Sequence, residues 1–337
     1  MSDTILKGKK VLLMAPSFYN YYIYIVEKLK KMGAEVDLIL EVHDPIYLYF
    51  FRKNKCLRNN YTYRYYASRL KNINNIDYIF LIRGEAINCH IMELLLEKYP
   101  KAKKVMYQWD SVKNNPNIKE IIKYFDKCYT FDPLDAKKYK WEYRPLFYLE
   151  ENCKKNDTQC LYDFVFIGTL YFQRAKLLKQ LKKICEKNNY RFFYYFFVKK
   201  FEYIIHTFLL KDKRYTIIPP KDVNFVSLSN KEVCDIYEKS KIFVDYTAET
   251  QAGFTIRTIE SIGSHKKIIT NNKNIVNADF YNPNNIYVYD LEKFDIPINF
   301  VNSPYVELKR ELYKKYSLEG WLEDIFMEIT SEKSLIE

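Results

Sequence analysis

The residues best suited to chemistry lie in residues 250–263, which read TQAGFTIRTIESIG. A polar loop with Gly253 leads into a predicted helix that begins at Thr255, carries Arg257 and has Glu260 further along. Backbone N–H groups at a helix start favour a phosphate, and a guanidinium adds a charge-assisted hydrogen bond to a diphosphate. The Glu260 carboxylate can accept hydrogen bonds from ribose hydroxyls. The stretch predicts a nucleotide site in which Arg257 and Glu260 point into an open cleft. The alternative is a plain loop, helix and strand with Glu260 as a solvated or capping acid.

Three further candidates follow predicted strands earlier in the chain. Arg83 and Glu85 come directly after the apolar run at residues 77–82, and Asp110 follows the run at residues 104–109. Asp110 is either a base that takes a proton from an acceptor hydroxyl or the N-cap of a short turn. Arg83 and Glu85 either face the same binding edge or lie in an exposed loop. We take these three residues as the candidate catalytic set.

A regular alternation of strands and helices must position these side chains. Residues 9–40 read as strand, helix and strand, with Gly33 ending the helix. The alternation, which includes a helix predicted at residues 117–125, runs to about residue 150. It begins again with a strand at residues 163–167, and a later strand is predicted at residues 223–226. Short connections of this kind predict parallel, doubly wound sheets, in which ligands bind beyond the carboxyl ends of the strands. That rule also selects Gly168 and Thr169.

The fold class predicted is α/β, with two Rossmann-like doubly wound domains and a cleft between them. We expect residues 1–151 to form the first of these domains and residues 160–304 to form the second. Residues 305–337 form C-terminal helices that we expect to pack back toward the first domain. At the start of the second domain, Arg174 either holds a donor phosphate or is simply exposed at a helix start.

Composition excludes several classes of protein. The chain has 337 residues, 48% of them hydrophobic, and a net charge of +12. Its seven Cys include no C-x-x-C pair, which suits a reducing cytoplasm, and its four scattered His do not form a zinc motif. No signal peptide and no apolar run of the ~20 residues needed to span a membrane is present. The glycine-rich motifs of phosphate-binding loops and of dinucleotide-binding domains are absent. Motifs typical of nucleic-acid-binding proteins are absent too, so we expect no nucleic-acid partner.

A basic, aromatic segment at residues 45–71 suits a membrane surface. It has seven Lys or Arg, no acid and many Tyr and Phe. Such a segment predicts peripheral contact with anionic lipid at the inner face of the cell membrane. The alternative is a solvated face with a partly buried aromatic side.

The stretch at residues 250–263 resembles the E-x7-E region of GT-B glycosyltransferases. Glu260 matches the second Glu of that pattern, which the resemblance implies contacts the donor's ribose. The first Glu, which contacts the sugar in many of these enzymes, falls on Ala252, so Gln251 or the nearby Glu249 would have to replace it. The order Gln-x-Gly-x-Thr-x-Arg-Thr-x-Glu is closest to capsule, lipopolysaccharide and spore-maturation-protein-like transferases. The opening of the second domain, residues 163–174, is similar to the same branch.

The resemblance implies transfer of a sugar from a nucleotide donor to a polysaccharide or lipid-linked acceptor. By this resemblance, residues 160–304 would form the domain that binds the nucleotide sugar. Residues 1–151 would form the acceptor-side domain, with the acceptor near Arg83, Glu85 and Asp110. No D-x-D triplet or His cluster occurs, so we expect no metal and no cofactor. Two alternatives of the same fold are a polyol-phosphate transferase and an inactive nucleotide-sugar-binding protein; a basic nucleic-acid-binding protein is a third class. The residues expected to bind the donor are Gly168, Thr169, Arg174, Gln251, Gly253, Thr255, Arg257 and Glu260.

Overall fold

The computed structural model describes residues 5–17, 20–41, 55–150, 159–169, 172–209, 212 and 219–331. These residues divide into two compact units. Unit 1 comprises Met1–Leu146, Thr250–Gly253 and Leu318–Glu337, and unit 2 comprises Phe147–Glu249 and Phe254–Ser317.

Unit 1 is built on a six-stranded sheet with the order β2-β1-β3-β4-β5-β6, and all of its strand pairs are parallel. The central strands β1, β3 and β4 are almost wholly buried, as their continuous apolar sequences require. The chain passes from β2 over β1 to β3, so the topological switch point lies between β1 and β3. The strands are β1 (Lys10–Ala15), β2 (Glu35–Leu40), β3 (Tyr78–Ile82), β4 (Lys103–Gln108), β5 (Lys127–Thr130) and β6 (Glu142–Tyr143). The helices are α1 (Tyr21–Lys31), α2 (Lys55–Leu70), α3 (Cys89–Lys98), α4 (Ile118–Ile121) and α5 (Pro133–Tyr139).

Unit 2 is built on a second six-stranded parallel sheet, with the order β12-β11-β10-β7-β8-β9. This is the strand order of the dinucleotide-binding Rossmann domain, and its switch point lies between β7 and β10. The strands are β7 (Tyr162–Thr169), β8 (Phe192–Phe197), β9 (Val223–Asn224), β10 (Ser240–Val244), β11 (Lys267–Thr270) and β12 (Ile286–Val288). The helices are α6 (Phe172–Asn188), α7 (Lys200–Ile204), α8 (Asn230–Glu238), α9 (Ile256–Gly263), α10 (Ile298–Asn302) and α11 (Arg310–Lys315).

The last helix, α12 (Leu318–Ser331), packs on the sheet of unit 1. Trp321 and Phe326 are fully buried there. The Trp321 ring lies 4.6 Å from that of Tyr107 on β4, and the Phe326 ring lies 5.5 Å from that of Phe80 on β3, centroid to centroid. These aromatic contacts hold the C-terminal segment in unit 1.

The two doubly wound sheets confirm the predicted fold class. Two predicted elements are shorter than expected. The helix expected at residues 117–125 consists of α4 and a 3₁₀ turn, Ile122–Tyr124, and its N-cap Asn117 makes no capping side-chain hydrogen bond. The strand expected at residues 223–226 stops at Asn224, because its partner on β8, Phe197, is the last residue of that strand.

The basic segment at residues 45–71 is described only in part. Its residues 45–54 lie outside the described residues, and most of the remainder forms α2. Over the portions of the chain that the structure describes, no helix is both long and apolar enough to cross a bilayer.

Candidate functional site

A fully buried carboxylate, Asp245, lies beyond β10 at the switch point of unit 2. Its Oδ1 accepts hydrogen bonds from Thr255 Oγ1 at 2.8 Å and Arg257 Nη1 at 3.1 Å. Its Oδ2 accepts from Thr247 Oγ1 at 3.1 Å and Thr270 Oγ1 at 2.9 Å. Four donors therefore satisfy the buried charge, and they tie the start of α9 to the ends of β10 and β11. The strand-end rule selects the stretch from Asp245 to Arg257, but sequence analysis gave Asp245 itself no role.

Thr255 and Arg257 lie at the start of α9. Thr255 is the N-cap, and its hydroxyl oxygen accepts a hydrogen bond from Thr258 N at 3.3 Å. The Arg257 guanidinium also donates to the carbonyl of Ile167 and stacks 4.9 Å from the ring centroid of Phe166. Its cation therefore lies between the ends of β7 and β10.

The expectation that Arg257 points into the open is wrong. The residue is only 9% exposed, because its charge is paired inside the unit with Asp245. The sequence pattern could not show this, since the pairing depends on how the loop between β10 and α9 folds. Contact between Arg257 and a donor diphosphate stays a prediction.

Gly168, Thr169 and Arg174 lie at the end of β7 and in the first turn of α6. A Cβ on Gly168 would lie 3.3 Å from Arg257 Nη2 and 3.2 Å from the Phe166 ring, so a side chain there would crowd the guanidinium. Arg174 Nη1 donates to Thr169 Oγ1 at 2.9 Å and to its carbonyl at 3.2 Å. The structure thus brings Gly168, Thr169, Arg174, Thr255 and Arg257 to the switch point, as the strand-end rule predicts.

Glu260 is half-buried on the next turn of α9 and lines a small groove in unit 2. The side chains of Tyr148, Tyr237 and Cys234 also line this groove. Burial raises the pKa of the Cys234 thiol to about 11, so the thiol is protonated at neutral pH. Glu260 is therefore a half-buried carboxylate in a groove of about 20 Å³, which has room for about one water molecule. Contact between Glu260 and a donor ribose stays a prediction.

Gln251 and Gly253 belong to unit 1, where a buried carboxylate holds their loop. Asp132 Oδ2 accepts hydrogen bonds from Ala252 N at 2.9 Å and from Gly253 N at 3.3 Å, while its Oδ1 caps α5. Gln251 Nε2 donates to the Gly253 carbonyl at 3.1 Å. A Cβ on Gly253 would lie 2.5 Å from the Phe131 carbonyl oxygen, so only glycine fits. Donor binding by Gln251 and Gly253 stays a prediction.

The three candidate catalytic residues of unit 1 lie together. Arg83 Nη2 is 2.5 Å from Glu85 Oε2, and Arg83 Nε is 2.9 Å from Asp110 Oδ2. Burial raises the pKa of the Asp110 carboxyl, and the Arg83 charge opposes that effect. The Asp110 carboxylate thus pairs with Arg83, at the edge of the sheet where β3 and β4 end.

The backbone at Arg83 is held in a conformation that non-glycine residues rarely adopt. Arg83 has φ of 71° and Gly84 has φ of 69°, two left-handed residues in succession. Two buried amide side chains, Gln108 Nε2 and Asn115 Nδ2, each donate to the Arg83 carbonyl at 2.9 Å. Strain that the surroundings fix in this way is typical of functional sites, because it presents a side chain in one direction.

Glu41 joins this cluster and was missed by sequence analysis. It follows β2, is only 6% exposed, and interacts electrostatically with Arg83 and Glu85. Burial raises the pKa of its carboxyl to about 7, against the lowering effect of Arg83. The strand-end rule, applied to β2, was the available signal. A carboxyl that titrates near neutral pH beside a guanidinium can exchange a proton with a substrate hydroxyl.

Within the described ranges, no group of three or more His, Cys, Asp and Glu side chains is arranged to hold a metal ion.

Comparison with known proteins gives likeness in structure only. No family model matches the chain, and no curated protein matches its sequence. Anabaena HepE in complex with UDP-glucose superposes with a TM-score of 0.61 at 9% identity, over 96% of this chain and 99% of that one. A Rickettsia africae glycosyltransferase gives 0.52 at 14% identity, over 97% of each chain. A Listeria monocytogenes protein assigned as a UDP-N-acetylglucosamine 2-epimerase superposes with a TM-score of 0.51 at 9% sequence identity, over 96% of this chain and 97% of that one.

The chain has the GT-B fold. Both Rossmann-like sheets of the fold are present. At these sequence identities the likeness establishes the architecture, and the activity must be argued from the residues of this chain.

Proposed function

We propose that the protein transfers a sugar from a nucleotide-sugar donor to a hydroxyl of a polysaccharide or lipid-linked acceptor. The observation that carries the proposal is the switch point of unit 2, where Asp245 organises Thr255 and Arg257 at the start of α9. In a GT-B fold this is the place for a nucleotide diphosphate. The crystal structure of HepE with UDP-glucose supports the choice of ligand class.

The donor's parts have separate partners in this proposal. The N-terminus of α9 and the Arg174 side chain receive the diphosphate, whose negative charge they complement. The half-buried carboxylate of Glu260 accepts hydrogen bonds from the ribose hydroxyls. As the sugar leaves, charge accumulates on the diphosphate, and fixed donors stabilise that charge without a metal ion.

The acceptor's proton is taken by the unit 1 cluster of Glu41, Arg83, Glu85 and Asp110. Arg83 holds two carboxylates in place. Glu41 supplies a carboxyl that is half ionised near pH 7, which suits a general base at neutral pH. We place this chemistry in the cytoplasm, on precursors of a capsule or lipopolysaccharide.

A nucleotide-sugar epimerase is a second candidate, since the Listeria monocytogenes protein is as similar in structure as the Rickettsia africae one. An inactive nucleotide-sugar-binding protein is a third, because Ala252 stands where the resemblance expects a sugar-binding Glu. Transfer of a polyol phosphate unit is a variant of the first proposal with a different donor.

One experiment separates these candidates. The protein is incubated with UDP-glucose, UDP-N-acetylglucosamine, ADP-glucose, GDP-mannose and CDP-glycerol, and the products are resolved by mass spectrometry and NMR. Release of a nucleoside diphosphate supports glycosyl transfer, with water as a slow acceptor. An epimerised sugar without transfer supports the second candidate, release of CMP supports polyol-phosphate transfer, and binding without turnover supports the third.

A further inference from the structure

An exposed apolar surface lies on unit 2, at the side of the sheet that ends in β9. Phe201 is 76% exposed, Val226 75% and Phe208 70%, and these are the three most exposed large apolar side chains among the residues that the structure describes. A single exposed apolar residue is ordinary, but several large ones in one place mark a contact surface. Together with the exposed Ile204 and Phe225, they form what we call the apolar patch.

One helical face supplies three residues of the apolar patch. Phe201 and Ile204 lie on α7, and Phe208 lies on the π turn that follows it, Ile205–Leu209. Spacings of three and four residues place these side chains on the same side of a helix. Tyr203 points the other way and is buried. The segment therefore buries one face in unit 2 and turns a second apolar face outward.

The loop after β9 supplies the other two residues and is held against this segment. The Phe225 ring lies 5.5 Å from that of Tyr203, centroid to centroid. The hydroxyl of Tyr195 on β8 donates to the Val226 carbonyl at 2.6 Å. These contacts fix the loop beside α7, so the apolar patch is formed before a partner arrives.

The apolar patch lies at the same edge of the sheet as the switch point. Its helix follows the end of β8, and Phe225 follows the end of β9. In the strand order of unit 2, β9 is two strands from β7, a distance of about 10 Å. A surface that contacts the apolar patch would therefore lie beside the carboxyl edge of the sheet, where doubly wound folds bind ligands.

The exposed charges next to the apolar patch are mostly positive. Within the described part of residues 199–226, the exposed charged side chains are three lysines and one glutamate: Lys199, Lys200, Lys221 and Glu202. The two other acids of this stretch have partners. Asp212 Oδ2 lies 3.4 Å from His206 Nδ1, and Asp222 is hydrogen-bonded to Tyr194.

Phenylalanine rings among lysines suit the surface of a bilayer that contains anionic lipid. The rings enter the boundary between headgroups and acyl chains, and the ammonium groups stay with the negative headgroups. A second copy of this chain fits less well, because a two-fold interface would bring the same lysines of two chains together, each chain with a net charge of +12.

From these observations we propose that the apolar patch docks unit 2 on a membrane surface that contains anionic lipid. This contact is distinct from the one expected of residues 45–71, since it lies on the other unit and works by insertion of phenylalanine side chains. The docking is independent of the proposed function. Its consequence rests on that function: the edge of the sheet assigned to the donor would lie close to the membrane, so the acceptor would be lipid-linked.

Vesicle flotation tests the docking. The protein is mixed with vesicles of phosphatidylcholine alone and of phosphatidylcholine with phosphatidylglycerol. The double variant Phe201→Ser/Phe208→Ser is expected to bind the anionic vesicles at least about tenfold more weakly than the parent, because two apolar side chains no longer leave water. Ile298→Ser, at a 57% exposed position on α10 of the same unit, is the matched control and should bind as the parent does.

A tryptophan placed in the apolar patch reports the contact directly. In Phe201→Trp, the added fluorescence should shift to shorter wavelength on anionic vesicles and be quenched by brominated lipid. The parent, which has its three tryptophans in unit 1, gives the background to subtract.

The proposal is overturned if the parent does not bind anionic vesicles, if the double variant binds them as the parent does, or if brominated lipid leaves the added tryptophan unquenched. Self-association of the parent without lipid, lost in the double variant by analytical ultracentrifugation, would assign the apolar patch to a second copy and overturn it too. Nucleotide binding by calorimetry should be equal in the parent and the double variant. A parent that docks on vesicles and binds no nucleotide would refute the proposed function and leave the docking intact.

Discussion

Replacing Arg257 by Met should destabilise unit 2, although the residue lies in a predicted binding stretch. The guanidinium pairs with the fully buried Asp245 at 3.1 Å, donates to the Ile167 carbonyl and stacks on Phe166. Met keeps the length and the apolar stem of the side chain but removes the charge and every donor. Asp245 would keep its three threonine hydroxyls and lose its cation.

The expected loss is about 3–5 kcal/mol, the usual cost of leaving one partner of a buried ion pair without the other. Glu260→Gln is the comparison on the same helix. Because Glu260 is only half-buried, its replacement should change the free energy of unfolding by less than about 1 kcal/mol. The double variant Asp245→Asn/Arg257→Met removes both charges and should recover at least about 1 kcal/mol of the loss.

The assay must report on unit 2. All three tryptophans, Trp109, Trp141 and Trp321, belong to unit 1, so fluorescence follows the wrong unit. Hydrogen exchange of the backbone amides in β10 and β11 reports on unit 2, and it should be faster in Arg257→Met than in the parent. If those amides exchange at the parent's rate, the guanidinium is not part of the core, and the open placement of Arg257 expected from the sequence is correct after all.

Three further outcomes follow from the same contacts. The free energy of unfolding of Glu41→Gln, relative to that of the parent, should be about 3 kcal/mol higher at pH 8 than at pH 5. The pKa of the Glu41 carboxyl is raised from 4.5 to about 7 on folding, so the folded protein holds this proton more tightly than the unfolded chain does. The parent therefore loses stability as the pH rises through that range, and the variant does not. Urea unfolding followed by tryptophan fluorescence measures this difference, and an equal difference at both pH values would show that Glu41 is not a buried acid. Transfer or donor hydrolysis should persist in excess EDTA, and complete loss restored by Mg²⁺ or Mn²⁺ would refute the metal-independent mechanism. Changing Arg52, Lys53, Lys55 and Arg58 together to Glu should reduce co-sedimentation of the protein with vesicles that contain anionic lipid. Unchanged binding would favour a solvated face.

Most strands and helices of both units could be predicted because each carries its own local signal, whereas α2 and β6 were not predicted. Continuous apolar runs mark buried parallel strands, and a 3.6-residue period followed by glycine marks α1. No such signal in the sequence marks the residue at which β9 ends. Phe225 and Val226 are as apolar as a strand requires, yet they are exposed, because β8 has no residue left to pair with them.

The positions of the site residues could be predicted from strand ends, but their partners could not. Arg83, Glu85 and Asp110 follow the strands β3 and β4 and do meet. Whether an Arg at a helix start faces solvent or a buried carboxylate depends on how the loop before that helix folds, as Arg257 and Asp245 show. Glu41 reads in sequence as an ordinary charged residue after a strand, and only its burial gives it a pKa near neutrality.

The most direct test of the central claim is nucleotide binding by the parent and by Glu260→Gln, measured by calorimetry in EDTA. Glu260 was assigned to the ribose, which the free diphosphate and the nucleotide sugar share. The account predicts that the parent binds at least one of UDP, ADP and GDP and the matching nucleotide sugar. Glu260→Gln should weaken both ligands by the same factor, roughly tenfold, as loss of a charged hydrogen bond of about 1–3 kcal/mol requires. A parent that binds no nucleotide, or a Glu260→Gln variant that binds both ligands as the parent does, would contradict the assignment of the donor site to α9.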